Sequence, residues 1–283
     1  MTVKSSQSPQ SDARAQMRER RCKNAEFMGR PIIKTADEIR AMRAAGRIAS
    51  KVLRGAAMMA APGLTTRELD VEVGRLIASH GAASAFLGYR GFPGQCCLSV
   101  NEAVIHGIGD GRRLQFGDLL KIDVGVRHQG FIGDVAMTMI VGGGSPKFQK
   151  LLDTTVQSLY EGISAAQSGA RVVDIGRAVE RCVVSSGYGV VREFCGHGVG
   201  RNVHEEPQVP NYVDLKSVTR LKSGMNIAIE PMVTMGSAAV EILDDGWTVV
   251  TRDRQVSAHF EHTVLITDSG PEILTRDEES HLY

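Results

Sequence analysis

The segment LLKIDVGVRHQGFIGDVAMTMI, residues 119–140, constrains this chain more than any other stretch. Two arms rich in Ile, Val and Leu flank the polar run Arg127–His128–Gln129–Gly130, which is the pattern of a β-hairpin with a tight loop. With His128–Gln129 as a two-residue loop, Arg127 faces Gly130 and the register sets Asp123 directly opposite Asp134. Directly opposed residues of an antiparallel pair share one face, with Cβ atoms roughly 4.5–5.5 Å apart. Two carboxylates that close repel each other unless a proton or a cation lies between them. A pair of divalent ions about 3.5–4 Å apart satisfies both. The rest of the chain must then supply further ligands.

Three candidates stand in marked local sequences. His197 lies in Phe194–Cys195–Gly196–His197–Gly198–Val199–Gly200, where flanking glycines let backbone approach a bound group closely. Glu230 ends the strand-like run from Met225, so that Asn226, Ala228 and Glu230 share one face and Ile227 and Ile229 the other. Glu261 precedes the apolar strand Val264–Leu265–Ile266, a costly place for a carboxylate unless it is paired or bound to metal. Four carboxylates and one imidazole, with no thiolate among them, suit Mn, Fe(II), Co or Zn.

The surrounding chain reads as one α+β domain with two related halves. Thr35 with Glu38 three residues later is a capping box, and Ile39, Met42, Ala45 and Ile48 recur at helical spacing to about Met59. Pro62–Gly63 ends that helix, and a second begins after Thr65–Thr66. A further helix is predicted from about Lys147 to Gln167, and after Ser168–Gly169 another carries Val172, Ile175, Val179 and Cys182. Setting Gly63 on Gly169, an offset of 106, also pairs Leu69 with Ile175, Val73 with Val179 and Gly81 with Gly187. The period is too long for a solenoid. It predicts two helix pairs packed on one side of a shared antiparallel sheet.

Composition excludes several classes. The 283 residues are 42% hydrophobic and 23% charged, as in a soluble protein with a sizeable core, and no run approaches the ~18 apolar residues that span a bilayer. A net charge of +1 argues against a surface made for wholesale nucleic-acid binding. Residues 1–30 nevertheless hold seven Lys/Arg against three Asp/Glu, a net of +4. Five cysteines, one adjacent pair among them and no CxxC, make a poor disulfide framework, so a reducing, cytoplasmic location is expected. The N-terminus has no apolar signal core; its Arg, Ser and Gln richness is compatible with a transit peptide, against which Asp12, Glu19 and Glu26 speak.

The candidate ligands in their contexts resemble the metal set of type I methionine aminopeptidases. The phrases VNEAVIHGIGDG from Val100, CGHGVGRNVHEEPQVP from Cys195, AIEPM from Ala228 and DGWTVVTRD from Asp245 carry the likeness, which covers about residue 35 to Thr275. It implies the pita-bread fold, pseudo-twofold like the internal repeat. It further implies two divalent ions (Co, Mn, Fe(II), Zn or Ni) bridged by Asp134 and Glu261, with Asp123 on one ion and His197 and Glu230 on the other. A monovalent cation nearby belongs to the same expectation. The activity implied is removal of the initiator methionine from nascent chains, with a small second residue preferred. Glu230 would shuttle the proton, His106 would contact the peptide nitrogen beside the scissile bond, and His204 would polarise the scissile carbonyl.

By the same resemblance, Tyr89, Phe92, Cys97, Val203 and Trp247 line the methionine pocket, an aromatic slot that suits an unbranched thioether. Phe92 stands where Tyr is frequent and Val203 where Phe is frequent, so one wall of the pocket is reshaped. His259 is assigned a supporting role beside Glu261, His128 reads as a turn residue, and His262 has no assigned role. The catalytic domain is expected over residues 31–283. Residues 1–30 are expected to form a flexible basic extension, either a solubilising tail or a transient contact to ribosomal RNA. A short charged helix fits residues 11–23. The protein is expected to be a monomer with no membrane contact. A prolidase or aminopeptidase P would carry a further N-terminal domain, and a catalytically silent relative would have lost metal ligands.

Overall fold

A computed structural model describes residues 29–276. The expectations for residues 1–28, including the charged helix over 11–23, lie outside the described residues. Helix α1 (Ala36–Met59) opens with the expected capping box: the Thr35 hydroxyl accepts the Glu38 N–H, and the Glu38 carboxylate accepts the Thr35 N–H. Helix α2 (Thr66–Ser79) repeats the device with Thr65 and Glu68. Helix α3 (Pro146–Ala165) starts on proline after the Ser145 cap and ends two residues earlier than periodicity suggested. Helix α4 (Val172–Ser185) follows.

The offset of 106 holds at the level of element ends. It maps Met59 onto Ala165, Thr66 onto Val172 and Ser79 onto Ser185. It also maps the short strand β1 (Ala83–Ser84) onto β6 (Gly189–Val190). The two helix pairs are therefore structural repeats.

A nine-stranded antiparallel sheet forms the floor of the site. Its main path runs β1, β4 (Leu119–His128), β5 (Phe131–Ile140), β14 (Glu261–Thr267), β9 (Asn226–Ile229), β7 (Gly196–Gly198) and β8 (Glu205–Val209). Strand β2 (Cys97–Val100) adds on β4, and β15 (Gly270–Ile273) adds on β14. Two three-stranded sheets close the rim: β6 with β10 (Met232–Thr234) and β13 (Ser257–His259), and β3 (Ala103–Ile105) with β12 (Val249–Thr251) and β11 (Val240–Ile242).

The central hairpin corrects the expected register. His128 pairs with Phe131, so the loop is Gln129–Gly130 and His128 is the last residue of β4 rather than a turn residue. Both loop residues have positive φ, 50° and 80°, which is the type I′ geometry that follows the twist of a hairpin and favours glycine. Asp123 consequently pairs with Ala136, and Asp134 with Gly125. The two aspartates are diagonal neighbours, not directly opposed. The pairing is offset by two residues, so both still point to the same face.

Alternation then divides the sheet. Ile122, Val124, Val126, Val135, Met137, Ile227, Ile229, Val264 and Ile266 join the main core beneath the helices, together with Ala49, Leu53, Leu159 and Ile175. The opposite face carries Asp123, Asp134, Glu261 and, just beyond β9, Glu230.

Candidate metal centre and active site

Five strands bring the five expected ligands together. Asp123 comes from β4, Asp134 from β5, His197 from β7 and Glu261 from the first position of β14, while Glu230 follows β9 before Pro231. Ligand atoms of Asp134, His197 and Glu261 all lie within 4.8 Å of one another. The His197 Nε2 is 3.9 Å from Asp134 Oδ2 and 3.5 Å from Glu230 Oε1. Each of these side chains except the half-buried Asp123 is buried.

The donor chemistry fits divalent cations. Asp123 Oδ1, Asp134 Oδ1 and Glu261 Oε1 are buried oxygens with no hydrogen-bond partner among the described residues. Leaving such oxygens unmatched costs about 1–3 kcal/mol apiece, more when charged. His197 Nδ1 lies 2.9 Å from the Gly198 carbonyl oxygen. A carbonyl only accepts, so Nδ1 carries the hydrogen and the lone pair is on Nε2, aimed into the carboxylates. A lone pair and several carboxylate oxygens facing one another is a ligand set.

Titration behaviour expresses the same crowding. Burial, and then the charge of Glu230, push the Asp123 carboxyl up to about 8, against a hydrogen bond from Cys97 that pulls it back. Burial raises Asp134 well above the usual carboxylate range, with Asp123 adding to it. Glu230 is raised by burial and Asp134, and Glu261 by burial and by Asp134, Glu230 and Asp123. Burial lowers the imidazoles: His197 to about 4, His106 to about 4 with help from His197, and His204 well below its usual value. At neutral pH these rings are uncharged.

The remaining expected residues surround the carboxylates. Cys97 sits directly opposite Asp123 across β2 and β4. Phe92, Cys97 and Val203 belong to one buried apolar cluster, with Tyr89 and Trp247 packed against it. The Phe92 and Trp247 rings meet edge-on at 5.1 Å. His106, at a positive φ of 59° just past β3, lies with its ring 6.3 Å from that of Trp247. The His204 ring is 4.3 Å from His197, and the Tyr89 hydroxyl is 2.7 Å from His204 Nδ1.

His259 corrects part of the expectation. It ends β13, a separate strand from β14, and its Nε2 faces Glu230 Oε2 at 3.5 Å rather than standing beside Glu261. His262 alternates to the other face, with Nδ1 2.9 Å from the Thr275 hydroxyl. Three contributors were not anticipated. Thr263 brackets the Asp134 peptide, Asn211 donates to the Glu230 carbonyl oxygen at 2.9 Å, and Phe194 lies edge-on to His106 at 5.7 Å. Strand alternation from Glu261 reaches Thr263; no sequence pattern points to Asn211.

A curled antiparallel sheet that packs paired helices on one face and cradles carboxylates and one imidazole on the other defines a metal-dependent hydrolase scaffold. The profile of metallopeptidase family M24 matches residues 40–268, and the chain belongs to that family. It is 46% identical over 245 residues to methionine aminopeptidase 1 of Bacillus subtilis, covering 87% of this chain and 99% of that one. The solved methionine aminopeptidase of Thermotoga maritima superposes with a TM-score of 0.85 at 39% identity, covering 88% of this chain and all of that one. The prolidase of Pyrococcus furiosus shares the fold with a TM-score of 0.71 at 26% identity; the match covers 88% of this chain and 66% of the prolidase. Both solved relatives have the pita-bread fold expected here. No helix among the described residues is long and apolar enough to cross a membrane.

Proposed function

We propose that the protein removes N-terminal methionine from peptides and nascent chains, using two divalent cations held by Asp123, Asp134, His197, Glu230 and Glu261. The observation that carries this is the convergence of three partnerless carboxylate oxygens on the His197 Nε2 beside a cluster of aromatic rings. Held by these residues, divalent cations would supply Lewis acidity toward a water and a carbonyl oxygen.

The residues of the chain do the rest. Glu230, beside His197 and His259, takes a proton from the attacking water and delivers it to the leaving amine nitrogen. His204 Nδ1 lies 2.7 Å from the Tyr89 hydroxyl; with that hydroxyl donating to Nδ1, the ring would carry its hydrogen on Nε2 and donate it to the scissile carbonyl oxygen as charge develops there. His106 contacts the peptide nitrogen beside the scissile bond. The methionine side chain lies among Tyr89, Phe92, Cys97, Val203 and Trp247. The catalytic unit spans residues 31–283; the protein acts in the cytoplasm as a monomer, with residues 1–30 outside the chemistry.

The test is hydrolysis of Met-Ala-Ser after chelation and re-addition of Co, Mn, Fe(II), Zn or Ni singly. Activity that vanishes on chelation and returns with at least one metal is expected, with Ala-Pro dipeptides left intact. Full activity after chelation, or faster cleavage of Ala-Pro, overturns the reading.

A further inference from the structure

Among the described residues, one buried charged pair outside the carboxylate cluster reaches the site. Lys34, in the segment that enters α1, places Nζ 2.5 Å from Glu205 Oε2, and the two side chains are 3% and 4% exposed. A buried pair of this kind is weak as a stability device, because desolvation offsets most of the attraction. Its bonding pattern is more informative than its energy. Glu205 Oε1 accepts the backbone N–H groups of Arg201 at 2.9 Å and Asn202 at 3.2 Å. The carboxylate therefore closes a loop back onto residues three and four positions earlier. Val203 and His204 are the residues inside that loop.

The pair is also fixed from outside. The Lys34 N–H donates to the Gly224 carbonyl oxygen, and one turn later Glu38 accepts from Arg201 at 3.1 Å. A Cβ on Gly200 would stand 2.7 Å from both Glu205 oxygens and from Lys34 Cε, so only glycine lets the pair lie against that backbone. The Gly200 carbonyl oxygen in turn accepts the N–H of Ile132, two residues before Asp134.

We propose that the Lys34–Glu205 ion pair is a positioning device for His204, by which the segment ahead of α1 sets the imidazole against the scissile carbonyl. The proposal rests on the role given to His204 above. Lys34 neutralises the carboxylate that shapes the 201–205 loop. Without it, Glu205 is a buried unpaired charge, and relief comes by turning toward solvent and releasing the Arg201 and Asn202 N–H groups. The loop then opens and His204 leaves the Tyr89 hydroxyl. A displacement of about 1 Å from productive geometry can cost about 100-fold in rate.

The test compares parent, Lys34→Met, His204→Ala and the double variant in their metal-loaded forms, on Met-Ala-Ser. Lys34→Met is expected to lower kcat at least tenfold while KM and metal affinity stay within twofold. In the His204→Ala background the same substitution should change kcat by less than twofold, because the residue through which it acts is gone. Equal effects in both backgrounds, or an unchanged kcat in Lys34→Met, overturn the proposal. Should Lys34→Met fail to fold, Gly200→Ala displaces the pair with both charges kept, and the same comparison with His204→Ala applies. An inactive parent enzyme would instead overturn the aminopeptidase reading itself.

Discussion

Thr263 brackets the peptide of Asp134: its Oγ1 donates to the Asp134 carbonyl oxygen at 2.8 Å and accepts the Asp134 N–H at 3.0 Å. In the backbone pairing of β14 with β5, Glu261 faces Ala136 and His262 faces Val135. At the next position the Thr263 side chain takes over that role, and so fixes where the Asp134 carboxylate points. Thr263→Val keeps the shape and removes both bonds, leaving two buried backbone groups unpaired. The expected loss is about 2–6 kcal/mol, from roughly 1–3 kcal/mol for each of the two unpaired groups. Metal affinity should weaken about 10–100-fold, as when groups orienting a ligand are removed. Urea unfolding and metal titration check both, and Thr263→Ser should recover most of each.

The crowded carboxylates predict an inverted pH response in chelated protein. A carboxyl whose folded pKa is raised holds its proton longer folded than unfolded, so stability is present at low pH and is lost as pH rises toward the folded value. For Asp123 that window runs from about 4 to about 8, and Asp134, Glu230 and Glu261 shift in the same direction. The buried histidines act oppositely, but only below their unfolded pKa near 6.5. Lys121, lowered by burial to about 7, gains stability above that pH, one group against four. Urea midpoints of chelated protein should therefore fall between pH 6.5 and pH 8. With metal bound the carboxylates are ionised already and the fall should disappear.

Much of this arrangement was legible because it is written at strand and helix period. The two capping boxes, the 106-residue repeat and the shared face of Asp123 and Asp134 all follow from local pattern. The hairpin slipped by one loop residue, because Arg127–His128–Gln129–Gly130 holds two plausible polar pairs. The positive φ demanded at both loop positions selects Gln129–Gly130. Contacts between residues far apart in sequence left no such trace. Lys34 with Glu205 and Asn211 with Glu230 depend on how the rim folds over the sheet, which no local period encodes.

The Tyr89–His204 bond gives a graded test of imidazole orientation. Tyr89→Phe keeps the ring stacked on His204, whose centroids are 5.4 Å apart, and deletes only the hydroxyl. Losing one hydrogen bond of about 1 kcal/mol predicts a fall in kcat of about fivefold, with KM little changed. His204→Ala removes the donor itself and should cost about 10²–10³ in kcat, as loss of an oxyanion donor does. If Tyr89→Phe raises KM and leaves kcat alone, the hydroxyl serves the pocket wall rather than His204.

Trp247 separates binding from chemistry. Its ring packs edge-on to Phe92 and approaches His106, and its backbone N–H is fixed by Asp245 at 2.8 Å, so the indole is held against both rings. Val203 supplies only a short side chain to the same cluster, where Phe92, Tyr89 and Trp247 present aromatic rings. Trp247→Ala should weaken methionine binding by about 1.5–3 kcal/mol of lost apolar burial, or about 10–100-fold in KM. The contact is the same in ground and transition states, so kcat should change little. Val203→Phe narrows the slot instead, and should penalise norleucine and methionine less than bulkier N-terminal residues such as phenylalanine. Steady-state kinetics on Met-, norleucyl- and Phe-Ala-Ser peptides distinguish these outcomes. A fall in kcat for Trp247→Ala at unchanged KM would place the indole with His106 in the chemistry and not in the pocket.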